Sequence, residues 1–184
     1  MKRKITNLFI LAAALLVLAC GGKKKTDDII TQKVEKPQPQ APIRQQEYLQ
    51  ERDVQWIGKT YHLAVNRQPS DSLPMVKDET GQQFVDNAIT VVVSRADGSI
   101  FYSHTFTKSS FSAQLDDDYR RTGILEGFVF NKADGDYLEF AASVSHPQTD
   151  EYIPLVVRLS RMGDVSIKCD TSLDTASRSE DDDV

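Results

Sequence analysis

Between Val54 and about Leu173, apolar and polar positions alternate in short runs. A two-residue repeat marks a strand with one buried face, and no window carries a helical stripe over three turns. Tyr61, Leu63 and Val65 share one face of the first run, and Ile89, Val91 and Val93 share one face of the second. Ile100, Tyr102, His104 and Phe106 follow, then Phe128 and Phe130, then Leu138, Phe140, Ala142 and Val144. Leu155, Val157 and Leu159 make the next set, and Val165, Ile167 and Cys169 the last. The pattern predicts seven or eight strands. Arg95-Ala96-Asp97-Gly98 and Lys132-Ala133-Asp134-Gly135 each place Asp-Gly between two runs, and Met162-Gly163-Asp164 marks a third turn. Asp-Gly supplies the backbone angles of tight hairpins, so the first two are expected to be one hairpin recipe used twice. Sequential hairpins give an all-β fold, an antiparallel meander forming a sandwich or a partly closed barrel.

The first residues break this pattern. Lys2, Arg3 and Lys4 precede a nearly unbroken apolar run from Leu8 to Leu18. The run is short of the roughly 20 residues a membrane-spanning helix needs, and it has the layout of a secretory leader. It ends in Val17-Leu18-Ala19-Cys20. That tetrad resembles the lipobox of bacterial lipoproteins. The resemblance implies that Val17, Leu18 and Ala19 are the signal-peptidase recognition residues and that Cys20 is the lipid-attachment residue. Residues 1–19 are then the leader, and the mature protein is held at the membrane by its N-terminal lipid. Two or more acyl chains give stable anchoring, at about 0.8 kcal/mol per buried methylene. Gly21 stands where some Gram-negative lipoproteins carry an inner-membrane retention Asp, so the outer membrane is the favoured location.

Residues 20–53 are expected to be a flexible linker. Pro37, Pro39 and Pro42 favour an extended path, and Ile43–Asp53 is expected to hold a short helix. The β domain is placed at 54–175, and residues 176–184 form a polar, acidic tail.

Charge narrows the partners. The chain has 184 residues with 22 Lys+Arg against 27 Asp+Glu. Losing Lys2, Arg3 and Lys4 with the leader leaves 19 basic residues against 27 acidic ones, a net charge of −8. Nucleic-acid binding needs a basic surface, so nucleic acid is excluded as the main partner.

The candidate chemistry is sparse. His62, His104 and His146 are in no metal-ligand spacing, and the acidic runs do not follow a calcium-loop pattern. No metal or cofactor is expected. Cys169 shares strand parity with Val165 and Ile167 and is expected in the core. His104 and Lys108 lie on or beside one strand-to-strand segment, Phe106–Phe111, and His146 opens another, Ser145–Glu151. These three are the candidate ligand rim. No residue is assigned a catalytic role.

The lipobox, the Lys/Gln/Pro tether, Gly58-Lys59-Thr60-Tyr61, Asp71-Ser72-Leu73-Pro74, Asp86-Asn87 and the two segments just named together resemble small uncharacterised lipoproteins of gut Bacteroidota, families built on domains of unknown function. The resemblance implies no established activity and carries over no catalytic residues. The function expected is a lipid-anchored envelope protein with a β-rich binding or accessory domain. Its partner would be an envelope protein, a glycan or a small ligand. The alternatives are an envelope hydrolase built on dispersed residues such as His104, or a purely structural envelope component.

Overall fold

The computed structural model describes residues 40–171. The leader, Val17–Ala19, Cys20, most of the linker and the acidic tail lie outside the described residues. The fold is an all-β sandwich of antiparallel sheets, without a closed barrel. Among the described residues ten strands run in chain order: β1 (Tyr48–Trp56), β2 (Lys59–Pro69), β3 (Val76–Lys77), β4 (Gln83–Phe84), β5 (Asn87–Arg95), β6 (Ile100–Phe106), β7 (Ile124–Asp134), β8 (Tyr137–Ser145), β9 (Tyr152–Ser160) and β10 (Val165–Cys169). One sheet has the order β1-β2-β5-β6 and the other β10-β9-β8-β7, while β3 and β4 pair only with each other. Among the described residues one short α-helix, α1 (Asp117–Thr122), lies in the crossover from β6 to β7.

The seven alternating runs are β2 and β5 to β10; the apolar faces of β2, β5, β7, β8 and β9 build the core, joined by Phe106 of β6, while β10 has no buried residue. Tyr61, Leu63, Val65, Ile89, Val91 and Val93 of one sheet face Leu138, Phe140, Val144, Leu155, Val157 and Leu159 of the other, all buried. Each fully buried side chain of this size contributes about 1.5–3 kcal/mol over its exposed state. Rings close the layers. Trp56, Tyr61 and Phe101 meet edge-on or tilted at 5.2–5.8 Å, and the Trp56 indole N–H donates to the Gly135 carbonyl across the sandwich at 3.1 Å.

Ile43–Asp53 departs from the expected linker and helix. Ile43 bridges to Phe84, and Tyr48 begins β1, the eighth main strand. Its alternation is hidden because only Val54 and Trp56 of its inner face are apolar and buried. Arg52 fills the next inner position by stacking its guanidinium over Phe130, 5.5 Å from the ring centre, and Arg67 lies over Tyr48 in the same way. An amphipathic Arg stem thus does the work of an apolar residue at the sandwich edge.

The repeated hairpin recipe also lies elsewhere. Asp97-Gly98 closes a three-residue loop, with Arg95 N–H donating to the Ser99 carbonyl and Gly98 N–H to the Arg95 carbonyl. Ser160–Asp164 reproduces both bonds around Gly163. Asp134, by contrast, is the last residue of β7 and pairs with Tyr137, so Gly135-Asp136 is a two-residue loop. Identical Ala-Asp-Gly letters therefore take two turn types, because strand pairing runs on through Ala133 and Asp134 and starts the loop two residues later, at Gly135.

The other two-residue turn, Ile57-Gly58 between β1 and β2, has both residues at positive φ, +45° and +73°. A β-branched residue is strained there, while Asn tolerates the conformation. Ile57 is exposed, so little packing is lost on replacement. Ile57→Asn is expected to stabilise the domain by about 1 kcal/mol, read as a rise of a few degrees in the melting temperature.

Candidate functional site

Two long excursions leave the sheets, residues 70–86 between β2 and β5 and residues 107–123 between β6 and β7. Val76, Phe84 and Ile124 form a small apolar cluster of their own where the first excursion meets β7. Between the excursions lies a cleft of about 470 Å³. Leu73, Pro74, Met75, Val76 and Leu115 line its apolar side, and Thr107, Ser109, Ser112, Arg120 and Arg121 its polar side.

Two ionisable groups also line it, and both are well removed from water. The Asp86 side chain is only 4% exposed and the Lys108 side chain 15%, with 3.9 Å between Nζ and Oδ2. Asp86 is held by the backbone of both sheets. Its Oδ1 accepts from the Asn87 N–H at 2.8 Å and from the Leu125 N–H at 2.9 Å. The Asn87 side chain donates to the Leu125 carbonyl at 2.8 Å and to Gln45 Oε1 at 2.8 Å. Both backbone groups of Leu125 are thus satisfied by the side chains of Asp86 and Asn87, which clamp the start of β5 to the start of β7. Lys108 donates to the Gly123 carbonyl at 2.6 Å and so pins the 3-10 turn Lys108–Phe111 to the end of α1. Burial pushes the Asp86 carboxyl up, opposed by the two backbone N–H groups and by Lys108. Burial also pushes the Lys108 ammonium down, opposed by Asp86. Desolvation thus disfavours the charged form of each group and the partner's charge favours it, a balance common at binding and catalytic clefts.

The cleft wall is built by local chemistry. Phe111 is fully buried and drives the 3-10 turn into the core beside Phe106. Asp116 caps α1 by accepting from Tyr119 N–H at 2.9 Å. Acidic residues in the first turn and Arg120 and Arg121 in the last complement the helix dipole. The Asp116-Asp117-Asp118 run is thereby explained as helix capping and pairing. Asp117 binds Arg120 at 2.6 Å, and Asp118 lies 3.6 Å from Arg121. The cationic rim is consequently largely neutralised, and the apolar wall is what distinguishes the cleft.

The three rim candidates are not gathered at one place. Lys108 lines the cleft just described. His146 lines a neighbouring cavity of about 560 Å³ with Asp78, Asp118 and Glu151. Its ring stacks on Tyr119 at 4.1 Å, with Nδ1 3.1 Å from Glu151 and Nε2 3.3 Å from Asp118. The Asp118 approach lacks hydrogen-bond alignment and leaves Nε2 buried without a bonded partner. His146 thus fastens α1 to the turn after β8. His104 stands apart, exposed on β6 with its ring edge-on to Phe106 at 4.6 Å. Among the described residues it has no carboxylate partner, and it lies outside both cavities. Cys169, expected in the core, is exposed on the edge strand β10, its Sγ 3.7 Å from the Gln114 carbonyl. Strand parity fails there because the facing sheet does not extend over the edge. Among the described residues no group of three or more His, Cys, Asp or Glu is placed to hold a metal ion.

Asp86, Leu115 and Arg121 were not singled out from the sequence as site residues. Asp86 precedes a strand with no local signal of burial. The adjacent Arg120-Arg121 pair was the available signal for the polar rim.

No helix among the described residues is long and apolar enough to cross a membrane. No curated protein matches the chain. A family profile described as "Domain of unknown function (DUF4738)" matches residues 27–167. That span takes in every strand of the described residues up to most of β10, both excursions and residues 27–47 ahead of β1, and the chain belongs to the DUF4738 family.

Proposed function

We propose that this DUF4738 protein is a lipoprotein of the gut Bacteroidota type, anchored at the cell envelope through Cys20. Its sandwich binds an apolar or amphipathic ligand in the cleft between the two excursions. The outer membrane is its favoured location. The observation that carries the binding reading is the cleft itself: one apolar wall, with Asp86 and Lys108 fixed by buried bonds on the other side. Ligand sites are typically apolar hollows with a few placed polar groups. Among the described residues His104 has no carboxylate partner and lines neither cavity, which counts against a hydrolase built on it.

The binding test uses anilinonaphthalene sulfonate, an amphipathic fluorescent anion. Met75 lines the cleft and is half-exposed, so Met75→Glu leaves the core intact. The native chain is expected to enhance probe fluorescence, and Met75→Glu to reduce that enhancement several-fold. No enhancement by the native chain, or equal enhancement by the variant, rejects the cleft as the site.

Anchoring has its own test. Cells fed labelled palmitate are expected to label the native protein and to lose the label with Cys20→Ser, which then leaves the membrane fraction. Retention of label by the variant overturns the anchor.

A further inference from the structure

Asp86 and Lys108 face each other across a gap that neither closes. Their nearest atoms, Oδ2 and Nζ, are 3.9 Å apart, too far for a hydrogen bond. Each has bonding capacity left over. Asp86 commits Oδ1 to the N–H groups of Asn87 and Leu125, and among the described residues Oδ2 accepts no hydrogen bond. Lys108 donates to the Gly123 carbonyl, and among the described residues no acceptor takes the other donors of its ammonium group. What little of the Asp86 side chain is exposed, 4%, opens on the cleft. A carboxylate oxygen so far from water gains strongly from a donor that a ligand brings to it.

The rest of the polar side is already committed. Arg120 is held by Asp117 and by the Ser112 carbonyl, and Arg121 by the Asp117 carbonyl beside Asp118. Thr107 and Ser109 share a hydrogen bond at 2.7 Å. The facing wall is aliphatic, and among the described residues no aromatic ring lines the cleft, so no face is offered for stacking a sugar or a nucleobase.

We infer that the cleft selects an aliphatic alcohol, with its alkyl body against Leu73, Met75 and Leu115 and its hydroxyl seated between Lys108 and Asp86. This inference rests on the binding reading of the cleft and adds the head group. The hydroxyl oxygen accepts from Nζ, and its O–H donates to Oδ2. Two hydrogen bonds of about 2.8 Å close a triangle over the 3.9 Å separation. A hydroxyl has the same pairing of donor and acceptor as water, so it replaces water without loss of bonds. Ionised heads satisfy only one of the two groups. A carboxylate accepts from Lys108 but brings like charge to Asp86, and an ammonium does the reverse.

The test is equilibrium dialysis of radiolabelled decan-1-ol, decanoate and decylammonium against the full chain at neutral pH, each below its micellar concentration. Binding that Met75→Gln weakens is counted as cleft binding, since that change in the apolar wall carries no charge and treats the three heads alike. The alcohol is expected to bind several-fold more tightly than either ion. Asp86→Asn keeps an oxygen for the N–H groups of Asn87 and Leu125 and puts an amide donor in place of Oδ2. With two donors and an unpaired ammonium, that variant is expected to reverse the order and bind decanoate several-fold more tightly than decan-1-ol. An Asp86 that was only structural would weaken all three ligands alike. Monodecanoylglycerol, run in parallel, separates two sources of the hydroxyl that both uphold the inference: tighter binding than decan-1-ol assigns a glyceride, and equal or weaker binding a simple alcohol. Equal binding of the three heads, tighter binding of either ion by the native chain, or an Asp86→Asn variant that still prefers the alcohol overturns the inference and leaves the cleft a binding site. Absence of cleft binding by all three also overturns it, and the fluorescent probe then decides separately whether the cleft binds at all.

Discussion

Alanine at Phe111 is expected to cost about 3–5 kcal/mol of stability, the range for deleting a buried aromatic ring without refilling the space. Phe111 is wholly inaccessible to solvent, and its ring packs on Phe106, which in turn packs on Phe128. The ring is the one side chain of the 3-10 turn that enters the core. Without it, Lys108, Ser109 and Ser112 lose the anchor that aligns them along the cleft. Chemical denaturation should show the loss in stability. Probe binding at a temperature where the variant is still folded should fall as well. Phe111→Leu keeps most of the apolar volume and is expected to recover most of both. A variant that loses stability yet binds the probe normally would separate the core from the cleft.

Asp86→Ala is the second large effect. It leaves the backbone N–H groups of Asn87 and Leu125 buried without an acceptor, and each orphaned group costs about 1–3 kcal/mol. Asp86→Asn is the informative partner, because its amide oxygen accepts the same two bonds. The pH dependence gives the sign. Burial raises the folded-state pKa of Asp86 above its unfolded value. Its contribution to stability is therefore full at acid pH and is lost as pH rises through the folded pKa. Asn does not titrate. The stability of Asp86→Asn relative to the native chain is thus expected to improve from acidic to neutral pH, read from urea midpoints across that range. A relative stability that instead declines with rising pH would mean that the pairing with Lys108 outweighs desolvation.

The contrast between these two residues shows what the linear chain discloses. Strands whose inner face is wholly apolar were visible as alternation, because packing between two sheets demands it of every second position. β1 was hidden because only Val54 and Trp56 of it are buried, while Arg52 and Tyr48 stay exposed and pack by stacking against Phe130 and Arg67. The turn at Asp134 was displaced because identical letters do not fix register, which the pairing of Asp134 with Tyr137 decides. Lys108 was marked by its setting between aromatics, and it does line a cleft. Asp86 was not, since its burial depends on Leu125, nearly forty residues along the chain, offering an N–H to be satisfied. Cys169 shows the reverse failure, a strand pattern that continues past the edge of the layer that would cover it.

The two sheets occupy separate stretches of sequence, 48–106 and 124–169, with the crossover between them. As the chain emerges from a ribosome or a translocation channel, the first meander is complete before any of its opposite layer exists. For that interval Leu63, Val65, Ile89, Val91 and Val93 form an uncovered greasy plate with no cover yet synthesised or delivered. Vectorial emergence thus makes the N-terminal half a natural client for a holdase. A chain interrupted anywhere in 107–123 becomes an aggregation hazard rather than a working half-domain.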